Sequence, residues 1–281
     1  EGKKCCLPSN SIQVTKSGTA GSPIVFGAYG TGANPIISGA VPLTGWVLQS
    51  GNIWKCYINT GGKAIPQLFV NGDRKFQSRF PNSGYLYVDT ILSYTSFADA
   101  ALNQTDGFLS DSKIVIRTDR HAWDNTKVVS NIGTTITHQD TLNFLSYTNA
   151  GYYFFDSYNL IDTANEWYFN VTVDTLYYMP PTGVNPNTQA IEASGYYSGF
   201  SISASNNISI VNLTIAKQTD NGVSFINGGS NNSFINITVR YVGKNGINCY
   251  STSTANNANT IKNCIISDCN DYGVYLSNST N

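Results

Sequence analysis

Three stretches of this chain share one frame. "NLTIAKQTDNGVSF" (212–225), "NITVRYVGKNGINCY" (236–250) and "NCIISDCNDYGVYL" (263–276) each open on an asparagine, and a glycine follows ten positions later. Asn212, Asn236 and Asn263 are separated by steps of 24 and 27, as are Gly222, Gly246 and Gly273, and "GFSI" places Gly199 one step of 23 earlier. A unit of this length with strands in it cannot bury its apolar face alone, so it must stack on its neighbours as a solenoid. A leucine-rich repeat would need its own leucine and asparagine spacing and a helical half, and neither is present.

Reading every second residue as inward gives columns of like side chains. Leu213, Ile237 and Cys264 form one; Ile215, Val239 and Ile266 the next; then Val223, Ile247 and Val274, followed by Phe225, Cys249 and Leu276. Ile210, Phe234 and Ile261 precede the asparagines. Stacking at about 4.7 to 4.9 Å per coil predicts an all-β parallel β-helix. Asparagine is depleted in strands, but stacked amides at a bend can bond along the axis and satisfy groups that would otherwise be buried unpaired.

Composition narrows the setting. Charged residues make up 12% of the chain and the net charge is -1, against about 25% charged in ordinary soluble domains. No electrostatic case exists for nucleic acid or an acidic membrane, and no apolar run is long enough to insert in a bilayer. With 33 asparagines and 25 glycines, the expected surface is neutral and rich in hydrogen-bonding groups, which suits sugars better than polyanions. No signal peptide is present, so for an exported protein that segment has been removed.

Along the chain, 1–65 reads as N-terminal β-helix coils, with strands at "SIQV", "PIVFGAY", "PIISGA" and "NIWKCYI". Residues 66–185 break the period and read as an inserted antiparallel β-rich subdomain, opened by "QLFVNGDRKF" with Asn71-Gly72 as a hairpin tip. "YTSFADAAL" (94–102) is the one segment expected to be a short helix. Regular coils resume over 186–281 and are expected to continue past the chain end.

"SGTAGSPIVFGAYGTGANPIISGA", "GNIW", "LFVNGDRKFQSRFPNSGYL" and "NEWYFNVTVDTLYYMPPTG" together resemble large secreted bacterial right-handed parallel β-helix proteins of the pectate-lyase-like superfamily. Such proteins include glycoside hydrolases, polysaccharide lyases and members without known activity, and many resemble cargo of the type IX secretion system. The resemblance implies a bacterial protein, secreted or at the cell surface, with an extracellular polysaccharide as partner and the secretion machinery as a second partner of a longer chain. It also implies either a carbohydrate-active or carbohydrate-binding role or, alternatively, a non-catalytic adhesin or stalk. The opening "EGKKCCLPSN" and closing "SNSTN" depart from the family pattern, so catalytic coils are expected to be incompletely present.

Candidate chemistry concentrates on the coils. Aligning them puts Asp220, Lys244 and Asp271 in one column, two residues before each glycine, and Lys217, Tyr241 and Asp268 in another. A lyase needs a base and cations, for which Arg240 and Lys244 stand on one coil and Lys217 on the coil before. An inverting hydrolase needs two carboxylates about 6.5 to 9.5 Å apart, a spacing that residues two coils apart approach. Asp220, Arg240, Lys244, Asp268 and Asp271 are thus the catalytic candidates. Alternating charges on a solenoid face are equally what surface pairing would produce, and that reading is the stronger. The neighbouring aspartates, Gly-His-Gly and Arg-Ile-Lys of polygalacturonases are absent.

Candidate substrate-binding residues are Lys217, Tyr241, Tyr196, Tyr197 and, in "DRHAWDN", Trp123, whose ring could stack on sugar. Tyr152 to Phe155 and Tyr177 to Tyr178 alternate within strands and read as core. His121 and His138 lie near carboxylates, where a shared metal or acid-base site is conceivable, yet isolated surface histidines are the simpler reading. Cys249 and Cys264 read as inward thiols. A disulfide from Cys5 or Cys6 to Cys56 is open, and no CxxC pair supports zinc. No metal ligands are assigned and no motif indicates a cofactor, calcium included. Asn170 and Asn207 lie in Asn-x-Ser/Thr sequons, whereas Asn212 and Asn236 belong to the stacked column.

Overall fold

The computed structural model describes residues 5–6, 10–144, 146–250, 256–277 and 279–280. The chain is all-β, with parallel sheets stacked as in a β-helix and an antiparallel subdomain. It divides into two compact units. Among the described residues, Thr44–Ile58 and Lys75–Gln189 form one; those up to Leu43, Asn59–Arg74 and those from Ala190 onward form the other.

The second of these holds the coils. One parallel sheet runs Ile12–Val14, Phe200–Ser203, Val223–Ile226, Ile247–Tyr250 and Val274–Leu276. A second runs Ile24–Gly27, Ile208–Val211, Ser233–Ile235 and Thr260–Lys262, and a third Ile36–Ser38, Thr214–Ala216, Thr238–Val242 and Ile265–Cys269. One full coil is therefore built from residues 12–38, and the chain returns to stack the next coil in register on it: Ile12 opposes Phe200, Ile24 opposes Ile208 and Ile36 opposes Thr214. The predicted columns appear as strand registers, Ile215 to Val239 to Ile266 and Phe225 to Cys249 to Leu276 among them. Ile215, Val223, Phe225, Phe234, Val239 and Ile247 are fully buried in one core.

The two repeat residues have different physical jobs. Asn212, Asn236 and Asn263 all sit in the left-handed region, with φ of 54°, 55° and 54°, where asparagine is tolerated best after glycine. Asn236 Nδ2 donates to Asn212 Oδ1 at 2.7 Å, one step of the expected axial ladder, but all three asparagines are exposed, so the bond does not satisfy buried groups as expected. The glycine column instead answers to close approach. A methyl group on Gly222 would lie 2.3 Å from Val239 Cγ1 and 2.6 Å from the Gly246 carbonyl oxygen.

A four-stranded antiparallel sheet belongs to the same unit, in the order Ala40–Pro42, Ile191–Ser194, Leu68–Val70, Asp73–Lys75. Its hairpin turns at Asn71 and Gly72, with φ of 53° and 88°, the two positive values of a type I′ turn. The strand Ile53–Asn59 forms where expected but lies in an antiparallel sheet with Thr175–Tyr178, not in a coil.

In the other unit, a larger antiparallel sheet runs Arg79–Phe80, Gly151–Phe155, Lys113–Asp119, Ala122–Ile132, Thr135–His138, Ser96–Ala98, Thr90–Ser93. Ile114, Ile116, Val128, Ile136, Tyr152 and Phe154 fill its core. The helix expected over 94–102 is not formed. Phe97 pairs across strands with Ile136 and Ile91 and is buried, while the Asp99 side chain accepts from the Ala101 N–H and ends the strand in a turn. Cross-strand burial of one phenylalanine outweighs the local propensity of three alanines.

Candidate functional site

Each coil leaves its third strand through a corner in the left-handed region, occupied by Lys217, Tyr241 and Asp268 at φ 70°, 55° and 54°. Holding a lysine or tyrosine there costs about 1–2 kcal/mol per residue, so the surrounding contacts must impose it. They do: Lys217 Nζ pairs with Glu192 at 2.6 Å and lies 4.7 Å from the Phe69 ring centre. Tyr241 packs edge-on against Phe69 at 5.7 Å, with the guanidinium groups of Arg74 and Arg240 at 5.4 and 5.7 Å from its ring. Asp268 is reached by Arg74 at 3.8 Å. Buried Gln67 donates to the carbonyls of Tyr241 and Gln218. The antiparallel sheet thus grips this corner column residue by residue. Its charges are spent on internal pairs, and the gripping partners Gln67, Phe69, Arg74 and Glu192 had no repeat to announce them.

The other column is more open. Tyr197, Asp220, Lys244 and Asp271 stand two residues before successive glycines, and backbone N–H groups tie each coil to the one before: Asp220 to Tyr197, Lys244 to Asp220, Asp271 to Lys244. Asp220 is buried, with its Oδ2 accepting from Asn221 Nδ2 at 2.6 Å and its Oδ1 2.9 Å from Lys244 Nζ. Lys244 keeps 54% of its side chain exposed. Hydrogen bonding to Asp220 and its charge raise the Lys244 pKa above the usual lysine value. Burial, and then the charge of Asp220, raise that of the Tyr197 phenol. At neutral pH Lys244 is therefore an ammonium and Tyr197 a neutral phenol, neither a ready base, while Asp271 is the exposed carboxylate of the column. Lys244 also stands in sequence order between Asp220 and Asp271, the two carboxylates considered as an inverting pair. Tyrosines mark both ends: Tyr196 and Tyr197 are 39% and 50% exposed on one coil, and Tyr272, beside Asp271, is 59% exposed three coils on.

Trp123 belongs to the other unit, on the strand Ala122–Ile132, and is half exposed. His121 is exposed and lines a shallow depression of about 610 Å³ with Arg117, Asp119, Arg120 and Tyr147. His138, expected at the surface, is instead buried on the strand Thr135–His138, its Nδ1 2.9 Å from the Asp140 carbonyl oxygen, and burial lowers its pKa. Among the described residues no group of three or more His, Cys, Asp or Glu could hold a metal ion. Burial pushes the Cys249 thiol up to about 12, as expected of an inert core cysteine. The side chains of Cys5 and Cys6 lie outside the described residues.

Residues 185–281 match the family described as "Right handed beta helix region". No curated protein matches the chain. Among solved structures, one titled "Glycoside hydrolase" superposes with a TM-score of 0.63 at 14% identity, over 92% of this chain and 64% of that one. Another, titled "The complex structure of XylC with xylose", gives a TM-score of 0.40 at 11% identity, over 94% of this chain and 49% of that one. The chain thus shares a fold with the structure titled "Glycoside hydrolase" and spans about 64% of that chain's length.

Proposed function

We propose that this chain is the carbohydrate-binding part of a secreted or surface-exposed bacterial β-helix protein, holding an extracellular polysaccharide along the coil face that carries Tyr197, Asp220, Lys244 and Asp271. In this reading export follows the type IX route that the sequence resemblance implies. The observation that carries the binding role is the framing of a hydrogen-bonding column by exposed tyrosines, Tyr196 and Tyr197 at one end and Tyr272 at the other. Three coil steps at about 4.8 Å separate the ends by about 14 Å, room for several sugar rings. Tyrosine offers a sugar both an apolar face and a hydroxyl.

Binding is favoured over cleavage by the state of the charges. Asp220 is already engaged by Asn221 and Lys244, and Asp268 and Lys217 hold the antiparallel sheet. Affinity electrophoresis through gels containing a panel of neutral and acidic polysaccharides tests the proposal. Retardation by at least one glycan, weakened about tenfold in a Y197A/Y272A variant, with no release of reducing ends or unsaturated uronate, is the expected result. Product release abolished by D220N in a folded protein would make the chain an enzyme, and an absence of retardation by any glycan would leave the stalk.

A further inference from the structure

The outer face of the large antiparallel sheet carries an arrangement that the coil-face reading does not use. Gly151 has no side chain on that face, and the Tyr85 ring lies over it; a methyl group there would sit 3.4 Å from the ring. Seated in this slot, Tyr85 faces Trp123 with ring centres 5.4 Å apart and planes tilted by 33°, and Tyr153 with centres 6.1 Å apart. Tyr85 and Trp123 are 46% and 45% exposed. Two arginines run through this aromatic row: Arg117 lies 5.9 Å from the Trp123 ring centre, and Arg79 lies 4.1 Å from that of Tyr153.

The charges on this face are not equivalent. Lys113 is neutralised by Asp156 at 2.8 Å and Lys127 by Asp111 at 2.7 Å. Among the described residues no carboxylate forms an ion pair with the guanidinium of Arg79 or Arg117, although the Arg79 backbone N–H donates to Glu166 at 3.1 Å. Their hydrogen bonds go to carbonyl oxygens, Arg79 to Gly84 and Arg117 to Asp119 and Arg120, which hold each guanidinium in place and leave part of its five donors unused. The nearby acidic side chains are occupied: Asp119 accepts from the Arg120 N–H, and Asp124 from Asn143.

We propose that this face is a second glycan site, specific for a carboxylated polysaccharide. Sugar rings stack on Tyr85 and Trp123, and uronate carboxylates take bidentate hydrogen bonds from Arg79 and Arg117. A carboxylated sugar presents what the face lacks, an anion beside an apolar ring face. A nucleic acid would call for a broader positive field than two unpaired arginines on a chain of net charge -1 supply. The inference goes beyond the coil-face reading and stands on different residues, so the two fail separately.

Titration calorimetry with an oligogalacturonate, its methyl-esterified form and a single-stranded oligonucleotide of matched length is the test. Expected are binding of the acid form at least about tenfold tighter than the ester, and a loss of about tenfold or more in R117A and in W123A. R117K, which keeps charge without the planar fork, should fall between R117A and the parent. Y85A, which empties the slot over Gly151, should lose about tenfold as well, and Y29A, at an exposed tyrosine outside both faces, should leave the affinity unchanged. Equal binding of ester and acid, unchanged affinity in an R79A/R117A variant, loss confined to Y197A/Y272A, or tighter binding of the oligonucleotide would each overturn the assignment.

Discussion

Gly222 and Gly273 occupy the same column, yet they are under different constraints. At Gly222 an added methyl group meets a valine and a carbonyl oxygen within 2.6 Å, whereas at Gly273 the nearest neighbour is Ile266 Cγ2 at 3.7 Å. G222A should therefore destabilise by about 1–3 kcal/mol through overpacking and G273A by much less, read from urea unfolding midpoints; equal effects would mean that strand conformation, and not close approach, selects the glycine. Asn236 makes the complementary case, since its φ of 55° and its amide bond to Asn212 are separable. N236G keeps the backbone and loses the ladder, while N236A loses both, so N236A should be the less stable of the two by about 1 kcal/mol.

Among the elements, the segments running from the end of the third strand of one coil to the first strand of the next carry two columns with different fates. The corner column is clasped by the antiparallel sheet and reads as structure; the column two residues before the glycine reaches solvent. Within the latter, Asp220 is buried and Lys244 is its charged partner. K244Q strands a buried carboxylate and should cost about 1–3 kcal/mol, and adding D220N should recover most of that loss, because the double variant removes the uncompensated charge. A double variant as unstable as K244Q would show that the lysine acts through its packing. Neither the clasp nor the burial of Asp220 was legible in the repeat. The coil spacing aligned Asp220 with Lys244 and Asp271, but their unequal exposure is set by how the loops turn, and of the partners of Lys217 and Asp268, Phe69 and Arg74 come from a hairpin more than a hundred residues earlier and Glu192 from the strand beside it.

At the scale of the whole molecule, two units with separate cores should unfold as two transitions in calorimetry. G222A should lower only the transition of the coils. The other should respond to acid through His138, whose folded-state pKa lies below 6.5 because of burial. For a base the sign follows directly: the unfolded chain binds the proton more readily, so this contribution is complete above the unfolded pKa and is lost as pH falls through 6.5 toward the folded value. Glu166 acts in the opposite sense, since burial raises its folded pKa above 4.5 and its contribution weakens stability as pH rises from there. The difference between wild type and H138Q isolates the histidine: between about pH 7 and about pH 5 the variant should lose less stability. Identical slopes, or one merged transition displaced by G222A, would count against this division.

The amino-acid sequence by itself determined the solenoid, its inward columns and its asparagine column, because those features repeat and a repeated pattern reports its own register. It also announced the Asn71-Gly72 turn, whose chemistry is local. Only the tertiary structure decided that "YTSFADAAL" contributes a strand, that Lys217, Tyr241 and Asp268 are held by an antiparallel sheet, and that Tyr85, Trp123, Arg79 and Arg117 share one face. Each of these depends on pairing between segments far apart in the chain, where burial and cross-strand contact outweigh local preference and leave no period to read.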